Sequence, residues 1–408
     1  MLSLKSGALL KTQPLQQQHA DILELLASRH VVVARREQPQ GTQSRSSLCS
    51  KSSCRNGWTA GWKQTQLLEL NTGLKRSSSA EKRFHRVPRL KDNYQLQCVW
   101  CVSDLTSSSS DHVLHDSSSE SSFYRRFVDY VVQECSCRLT LEPFPMQNEF
   151  RKMMARDGKS FTCSYAFQSD KIRNIRAADV DGGSSIQVLN LVAFPSAAYD
   201  LPFFCADLVT FKKNHLIVLD FNPLYNSLDL PRQYKETYIN PLYPIWNKYK
   251  EVLPWGGEMS SESLEFLSPY VIWSRPIKDP YIDEIVFEAF KDYLHVWLDL
   301  VDKAEASSNV DEIRKNQESQ HRYMVWRSTK DPGRNLLTRL YGETQCEDYM
   351  KGFLFADMDN LGRKSFLDYF PKFRDPNGSV VKKRSVSGKG YPTRPWDEDG
   401  NYVGSTSA

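Results

Sequence analysis

Two polar residues interrupt apolar runs that are long enough to be strands. Asn190 lies in IQVLNLVAF, and Asp207 lies in FFCADLVTF. Moving an amide or a carboxyl into a dry sheet costs free energy unless the group is hydrogen-bonded or neutralised. Apolar neighbours favour the protonated form of a carboxyl, so Asp207 is predicted to donate a proton to a bound ligand. Asn190 exchanges no proton near neutral pH, so its predicted role is to position that ligand.

These residues and two other aspartates also have structural interpretations. Asp207 could pair with a buried Arg or with backbone groups, and the backbone could equally satisfy Asn190. Asp331, in KDPGR, could cap the helix that begins after it. Asp220, in DFNPL, is most simply explained as part of a turn at a strand end.

The elements around these residues change from strands to helices along the chain. Residues 184–225 read as three strands that are apolar on both faces, joined by tight turns. An antiparallel sheet of this kind needs cover on both faces. The pattern therefore predicts an α+β fold, a three-layer α/β/α sandwich around a central antiparallel sheet. Further strands are predicted at 161–167, 171–178 and 269–274, and helices at 122–137, 281–304, 310–328, 333–341 and 346–356.

Composition predicts one folded domain with long flanking segments. Residues 1–80 carry 11 Lys/Arg against 4 Asp/Glu and are rich in Ser and Gln, a pattern typical of an organelle transit peptide. An untargeted disordered tail is the alternative. The predicted organisation is a transit peptide or disordered leader at 1–85, a Ser-rich linker at 86–122, the domain at 123–372 and a flexible tail at 373–408.

Several classes of cofactor and partner lack a signature in this sequence. It contains no GxGxxG, GxxxxGK[ST] or HExxH motif, and the single CxxC, Cys98–Cys101, has no second pair at zinc spacing. No apolar run is long enough to span a bilayer, and the domain is too acidic to favour nucleic acid. If the protein is a redox enzyme, its electrons must then come from an external donor. Basic clusters could dock an acidic partner but are better explained as solvated surface: Arg151-Lys152, Arg156-Lys159 and Lys171-Arg173-Arg176.

The segments KIRNIRAADVDGGSSIQVLNLVAFPSAAYDLPFFCADLVTF, LDFNPL, LPWGGE and WRSTKDPGRNLLTRLYGE resemble the ferredoxin-dependent bilin reductases over about 123–372. The resemblance implies reduction of biliverdin or a dihydro-derivative through bilin radicals. Electrons would come singly from reduced ferredoxin, with no bound metal or flavin. Together with the serine-rich, transit-like leader, it favours an enzyme of the plastid stroma, and we expect a monomer.

The same resemblance assigns roles to individual residues. Asp207 falls on the central sheet carboxylate, and Asp331 falls on an acid loop that faces the sheet; both would be proton donors. Asn190 stands where phycocyanobilin-forming members carry a His, which argues against phycocyanobilin as the product. Substrate contacts are expected from the rings of Phe194 and Phe204, and propionate contacts from Lys250, Arg275 and Arg334.

The resemblance leaves the product and one other class of function open. A phycourobilin or phycoerythrobilin type of product is favoured, with phytochromobilin synthase as the alternative. A carrier that binds a bilin without reducing it belongs to another class. A third alternative is reduction of an opened chlorophyll catabolite.

Overall fold

A computed structural model describes residues 122–380 and 390–404, and the predicted leader and the CxxC lie outside them. The centre is an antiparallel sheet in the order β1-β3-β4-β5-β6-β7-β8, with β2 paired to β3. The strands are β1 (Glu142–Pro143), β2 (Lys152–Met154), β3 (Phe161–Gln168), β4 (Ile172–Asp181), β5 (Ile186–Pro195), β6 (Phe203–Phe211), β7 (Asn214–Asn222) and β8 (Ile272–Ser274).

The helices precede, interrupt and follow this sheet. The α-helices are α1 (Arg125–Arg138), α2 (Asn148–Arg151), α3 (Arg232–Tyr234), α4 (Tyr243–Tyr249), α5 (Ser261–Leu264), α6 (Pro280–Lys303), α7 (Val310–Lys330), α8 (Arg334–Tyr341), α9 (Glu343–Tyr349), α10 (Met358–Leu361) and α11 (Phe366–Tyr369). Two segments are π-helices, π1 (Lys235–Ile239) and π2 (Met350–Leu354). Two are 3-10 helices, Asn240–Leu242 and Pro371–Phe373.

Helices cover both faces of the sheet, because β5, β6 and β7 carry apolar side chains in both directions. On one face Phe204 packs against Phe290 and Trp297 of α6, with ring centroids 5.6 and 5.9 Å apart. On the other face the ring of Phe203 lies 5.0 Å from that of Tyr323 on α7. The predicted three-layer α/β/α sandwich is confirmed.

The strand register aligns the polar residues singled out in the sequence. Ala178, Asn190, Asp207 and Val218 are successive cross-strand partners on β4, β5, β6 and β7. Directly opposed residues project from the same face of a sheet, and neighbouring strands lie about 4.8 Å apart. Asn190 and Asp207 therefore stand side by side on the face that α7 covers.

Part of the predicted flexible tail is packed instead. The Trp396 side chain is buried, and the Arg394 guanidinium donates to the carbonyl oxygen of Pro269 at 2.8 and 3.0 Å. The same guanidinium lies 4.2 Å from the ring centroid of Trp246. The Gly-, Ser- and Pro-rich composition predicted a tail detached from the domain, but one Trp and one Arg attach residues 390–404 to it.

Two further searches concern the described residues alone. Among their helices, none combines the length and apolar character needed to cross a membrane. Within 122–380 and 390–404, no three His, Cys, Asp or Glu side chains are grouped as they would be around a metal ion.

Candidate active site

Asp207 meets a buried guanidinium rather than a wholly apolar environment. Arg327, on α7, donates to the Asp207 carboxylate across the gap between helix and sheet. Both side chains are largely buried. The sequence predicted apolar neighbours for Asp207, and Cys205 and Val209 lie on either side of it on the same strand. Its hydrogen-bond partner, Arg327, is 120 residues further along the chain. The structural interpretation, a carboxylate paired with a buried Arg, therefore describes the observed contact.

Asp331 lies at the other side of the same guanidinium. Its Oδ2 is 3.7 Å from Nε of Arg327, one helical turn earlier. Its Oδ1 accepts the backbone N–H of Gly333 at 2.6 Å. Asp331 ends α7, and Gly333 rather than Asp331 occupies the N-cap position of α8. One cation therefore holds together the two carboxyls that the sequence placed 124 positions apart.

The charge balance around Arg327 fixes its protonation. Burial lowers the pKa of the Arg327 guanidinium, but the charges of Asp207 and Asp331 more than offset that effect and raise the pKa above its ordinary value. Arg327 therefore stays charged. One buried cation faces two carboxyls, an arrangement in which loss of the cation would leave uncompensated charge.

Asn190 binds a second buried arginine. Nη1 of Arg176, on β4, donates to Oδ1 of Asn190 at 2.7 Å. The guanidinium also lies 5.9 Å from the ring centroid of Phe194 and 5.7 Å from that of Phe355, just after π2. Burial lowers the pKa of Arg176, and its Nε has no hydrogen-bond partner among the described residues.

The interpretation of Lys171-Arg173-Arg176 as solvated surface is wrong. Arg176 is buried on the site face, and Arg173 pairs with Asp357 and donates to Gln320 at 3.0 Å. Lys171 donates to the carbonyl oxygens of Val301 and Ala304 at the end of α6. All three cations connect β4 and its preceding turn to other elements.

Aromatic side chains form the wall beside these polar groups. The ring of Phe194 lies 5.1 Å from that of Phe203 and 6.3 Å from that of Tyr323. Phe204 was expected beside Phe194, but it points to the opposite face and packs on α6. Successive strand residues alternate between faces, so Phe203 and Phe204 cannot share a wall.

The three expected propionate partners occupy other places. Arg334 pairs with Glu347 and donates to the Ser328 carbonyl oxygen at 3.2 Å, close to the Asp331 loop. Lys250 donates to the Glu398 carboxylate at 3.1 and 3.2 Å. It lines a cavity of about 180 Å³ with Trp246, Glu251, Leu253, Trp255, Val271, Trp273, Arg394 and Glu398.

Arg275 lies beside this cavity. Its guanidinium is 4.7 Å from the ring centroid of Trp273, and its buried Nε has no hydrogen-bond partner among the described residues. Burial lowers its pKa. Neither Arg275 nor Lys250 contacts Asp207 or Asp331 in the part of the chain that the structure describes.

Asp220 is more than a turn residue. It lies within β7, and its carboxyl accepts the N–H of Ser268 at 2.7 Å and the Ser268 hydroxyl at 2.5 Å. Burial raises its pKa to about 7, against the opposing effect of the Ser268 hydrogen bonds. Its role is structural, as the sequence favoured, but it ties β7 to the loop that contains Ser268.

The sequence did not single out Arg327 or Tyr323, and it named Arg176 only within a cluster that was interpreted as surface. Arg327 precedes Asp331 by four residues in a predicted helix, a spacing that places both on one helix face. That spacing could have identified the pair. Arg176 follows apolar Ile175 in a strand that is buried on both faces, where a surface role was already improbable.

Known proteins match this chain in sequence and in fold. The family model described as ferredoxin-dependent bilin reductase matches residues 128–356. The chain is 38% identical over 281 residues to the chloroplastic phytochromobilin:ferredoxin oxidoreductase of Arabidopsis thaliana, covering 69% of this chain and 85% of that protein. It is 42% identical over 243 residues to the phycoerythrobilin:ferredoxin oxidoreductase of Nostoc punctiforme, covering 58% of this chain and 94% of that protein.

A solved structure agrees with these matches. Phytochromobilin synthase from tomato, crystallised in complex with biliverdin, superposes with a TM-score of 0.66 at 41% sequence identity, covering 69% of this chain and all of that one. The sheet and its helical layers thus define an α/β/α sandwich of the tetrapyrrole-reducing type. The chain belongs to the ferredoxin-dependent bilin reductase family. It is an oxidoreductase that acts on CH–CH groups with ferredoxin as electron donor.

Proposed function

We propose that this protein reduces biliverdin or 15,16-dihydrobiliverdin to a phycobilin, with Asp207 and Asp331 as proton donors. Each double bond that becomes a single bond takes up two electrons, one from each of two reduced ferredoxins, and two protons. The two ferredoxins leave oxidised. The bilin carries one unpaired electron between the two transfers, so a radical intermediate follows from the electron count.

The observation that supports this proposal is the convergence of both carboxyls on Arg327. Asp207 projects from the sheet and Asp331 ends the helix that covers it, so the two approach one space from opposite sides. A flat ligand between sheet and helix would then have a carboxyl over each face. Buried charged groups that face one another in this way are also typical of functional sites.

The ion pair with Arg327 sets a condition on the chemistry. A carboxyl that gives a proton to a ligand must face that ligand, whereas the Asp207 carboxyl faces the guanidinium of Arg327. We therefore propose that an entering bilin separates Arg327 from Asp207. The guanidinium would then be free to bind a carboxylate of the substrate, since Arg recognises carboxylates with two parallel hydrogen bonds.

Among the expected propionate partners, Arg275 is the strongest candidate. Lys250 and Arg334 are already paired with Glu398 and Glu347. The Nε of Arg275 is buried without a partner among the described residues, and an unpaired buried donor favours binding of an acceptor.

For the product we favour a phycourobilin or phycoerythrobilin type, because the order of Asn190 and then Asp207 on the sheet resembles that of phycoerythrobilin- and phycourobilin-forming members. The phycoerythrobilin-forming relative of Nostoc punctiforme is consistent with this choice. Phytochromobilin is the second candidate, supported by the relatives from Arabidopsis thaliana and tomato.

An anaerobic assay with biliverdin, reduced ferredoxin and purified protein tests the proposal. The bilin absorption should bleach and shift, and chromatography against bilin standards should identify the product. Asp207→Asn and Asp331→Asn should each bind biliverdin but stall, with a radical spectrum that persists. Asp299→Asn, an exposed carboxylate on α6, is the matched control and should turn over normally. A stable bilin complex with no spectral change on adding electrons would indicate the carrier instead.

We also propose that the protein is a monomer of the plastid stroma. The basic, hydroxylated leader supports the location, as does the chloroplastic relative from Arabidopsis thaliana. Import of the full chain into isolated chloroplasts and sedimentation of the imported product test these two points.

A further inference from the structure

We propose that ferredoxin docks on a basic surface at the β2 edge of the sheet; the inference rests on the proposed function, which takes ferredoxin as the donor. The surface consists of exposed cations from two parts of the chain. We call it the basic edge, formed by Arg151, Lys152, Arg156, Lys159, Arg339 and Lys351. Met154, at the end of β2, has a side chain that is 52% exposed, one of the few large apolar groups on the described surface.

Specific contacts bring the two parts together. The backbone N–H of Arg156 donates to the carbonyl oxygen of Leu340 at 2.8 Å, and the Tyr341 hydroxyl donates to the carbonyl oxygen of Met153 at 3.3 Å. The Arg156 guanidinium lies directly over Gly342, where any side chain would collide with it. The segment that follows β2, with Arg156 and Lys159, therefore lies against the end of α8, which carries Arg339.

Lys351 joins this surface through a second close approach. Phe150 on α2 packs against Gly352 of π2, where a Cβ would overlap the ring. Lys351 immediately precedes that glycine and is exposed.

The cations of the basic edge are not neutralised. Within 122–380 and 390–404, none of the six lies within 4 Å of a carboxylate, whereas Arg138, Lys248 and Lys364 elsewhere on the surface all do. Residues 148–160 hold four cations against two carboxylates, Glu149 and Asp157. The Asp157 carboxylate accepts hydrogen bonds from the hydroxyl and N–H of Ser160 and from the N–H of Lys159. It therefore stabilises the turn and, within the described residues, forms no ion pair with these cations.

The basic edge connects to both halves of the candidate site. Along the backbone of the sheet, Lys152 opposes Cys163, and the row continues through Asp179 and Leu189 to Leu208, which follows Asp207 in β6 and projects from the opposite face. Four strand spacings make this distance about 19 Å. On the helical side, α8 begins at Arg334, three residues after Asp331, and ends at the basic edge. A donor bound there would sit beside the elements that enclose the substrate.

The chemistry of this surface fits an acidic electron-transfer protein. Unpaired cations steer an acidic partner and set its orientation, and an exposed apolar side chain, here Met154, excludes water from the contact. Such association is fast at low salt and weakens as ionic strength rises. A transient donor that must leave after each electron needs this kind of contact.

Charge reversal tests the inference. The variant Arg156→Glu/Lys159→Glu/Arg339→Glu changes three cations of the basic edge, none of which we place in the site. The matched control Lys213→Glu/Lys303→Glu/Lys315→Glu makes the same charge change at exposed positions elsewhere. At low ionic strength the first variant should bind ferredoxin about 10- to 100-fold more weakly by calorimetry, and the control less than about threefold. Its KM for ferredoxin should rise in parallel, and the salt dependence should flatten.

Ferredoxin binding, the KM for ferredoxin and bilin reduction by a small chemical reductant separate the possible results. Equal losses in both variants would mean that only net charge matters, and unchanged binding in the first variant would place the docking surface elsewhere; either result overturns the inference. Bilin reduction by a small chemical reductant should be unchanged in both variants, which shows that the site is intact. If that reduction is absent in the unaltered protein while ferredoxin still binds the basic edge, the proposed function fails and the docking surface stands.

Discussion

Replacing Arg327 by Met should destabilise the protein by an amount that depends on Asp207. The side chains of Arg327, Asp207 and Asp331 are only 10, 16 and 9% exposed, so water screens their charges weakly. Removing one partner of such a buried pair costs about 3–5 kcal/mol, because the other is left as an uncompensated charge. Removing that second charge as well should recover part of the loss, so Arg327→Met and Asp207→Asn should be coupled by about 1–3 kcal/mol.

The measurement is a double-mutant cycle by urea unfolding at neutral pH. Four proteins are compared: the unaltered chain, each single variant and the double variant. The exposed pair Arg138–Asp299, replaced in the same way, is the control and should show a coupling of about 0–1 kcal/mol. A coupling below about 0.5 kcal/mol at Arg327–Asp207 would refute the reasoning, because the two side chains would then contribute independently.

Three further predictions follow from the packing. Burial raises the pKa of Asp220 to about 7 from a reference of 3.8, so the folded state prefers the protonated carboxyl and the free energy of unfolding should fall by roughly 2–4 kcal/mol between pH 4 and 7. Urea unfolding at both pH values measures this fall, and Asp220→Asn should abolish it. Phe194→Leu should shift the absorption spectrum of bound biliverdin, whereas Phe204→Leu, on the opposite face, should lower the unfolding midpoint and leave the spectrum unchanged; the reverse result would contradict the assignment of faces. Trp396→Ala should release residues 390–404 to limited proteolysis, whereas Val403→Ala, 63% exposed, should not; equal resistance of both variants would show that Trp396 does not anchor the segment.

The sheet was predictable because its signal is local. Strands that are apolar on both faces, such as β6, require two covering layers whatever the rest of the chain does. The polar residues Asn190 and Asp207 were conspicuous for the same reason. The register that sets them side by side pairs β5 with β6, which are joined by the seven residues 196–202 and not by a tight turn, so the sequence did not mark it.

The partners of those residues were not predictable in the same way. The contact of Asp207 with Arg327 and that of Asn190 with Arg176 join different elements, and no periodicity within one element specifies such contacts. Phe204 was placed on the wrong face although strand alternation decides the matter. The tail was predicted to be flexible from its average composition. That average does not show that two of its residues, Arg394 and Trp396, attach the segment to the domain.

The π-helical turn π2 limits which mutations can alter the aromatic wall of the candidate site. A π turn accommodates one residue more than an α-helix, so everything after it is rotated by about 100° relative to a regular helix. Phe353, which lies within π2 and stacks on Tyr349 at 5.1 Å, and Phe355, whose ring centroid is 5.7 Å from the Arg176 guanidinium, take their directions from that extra residue. Loss of a single codon within π2 would turn this wall away from the sheet, an alteration that no exchange of one amino acid for another can reproduce.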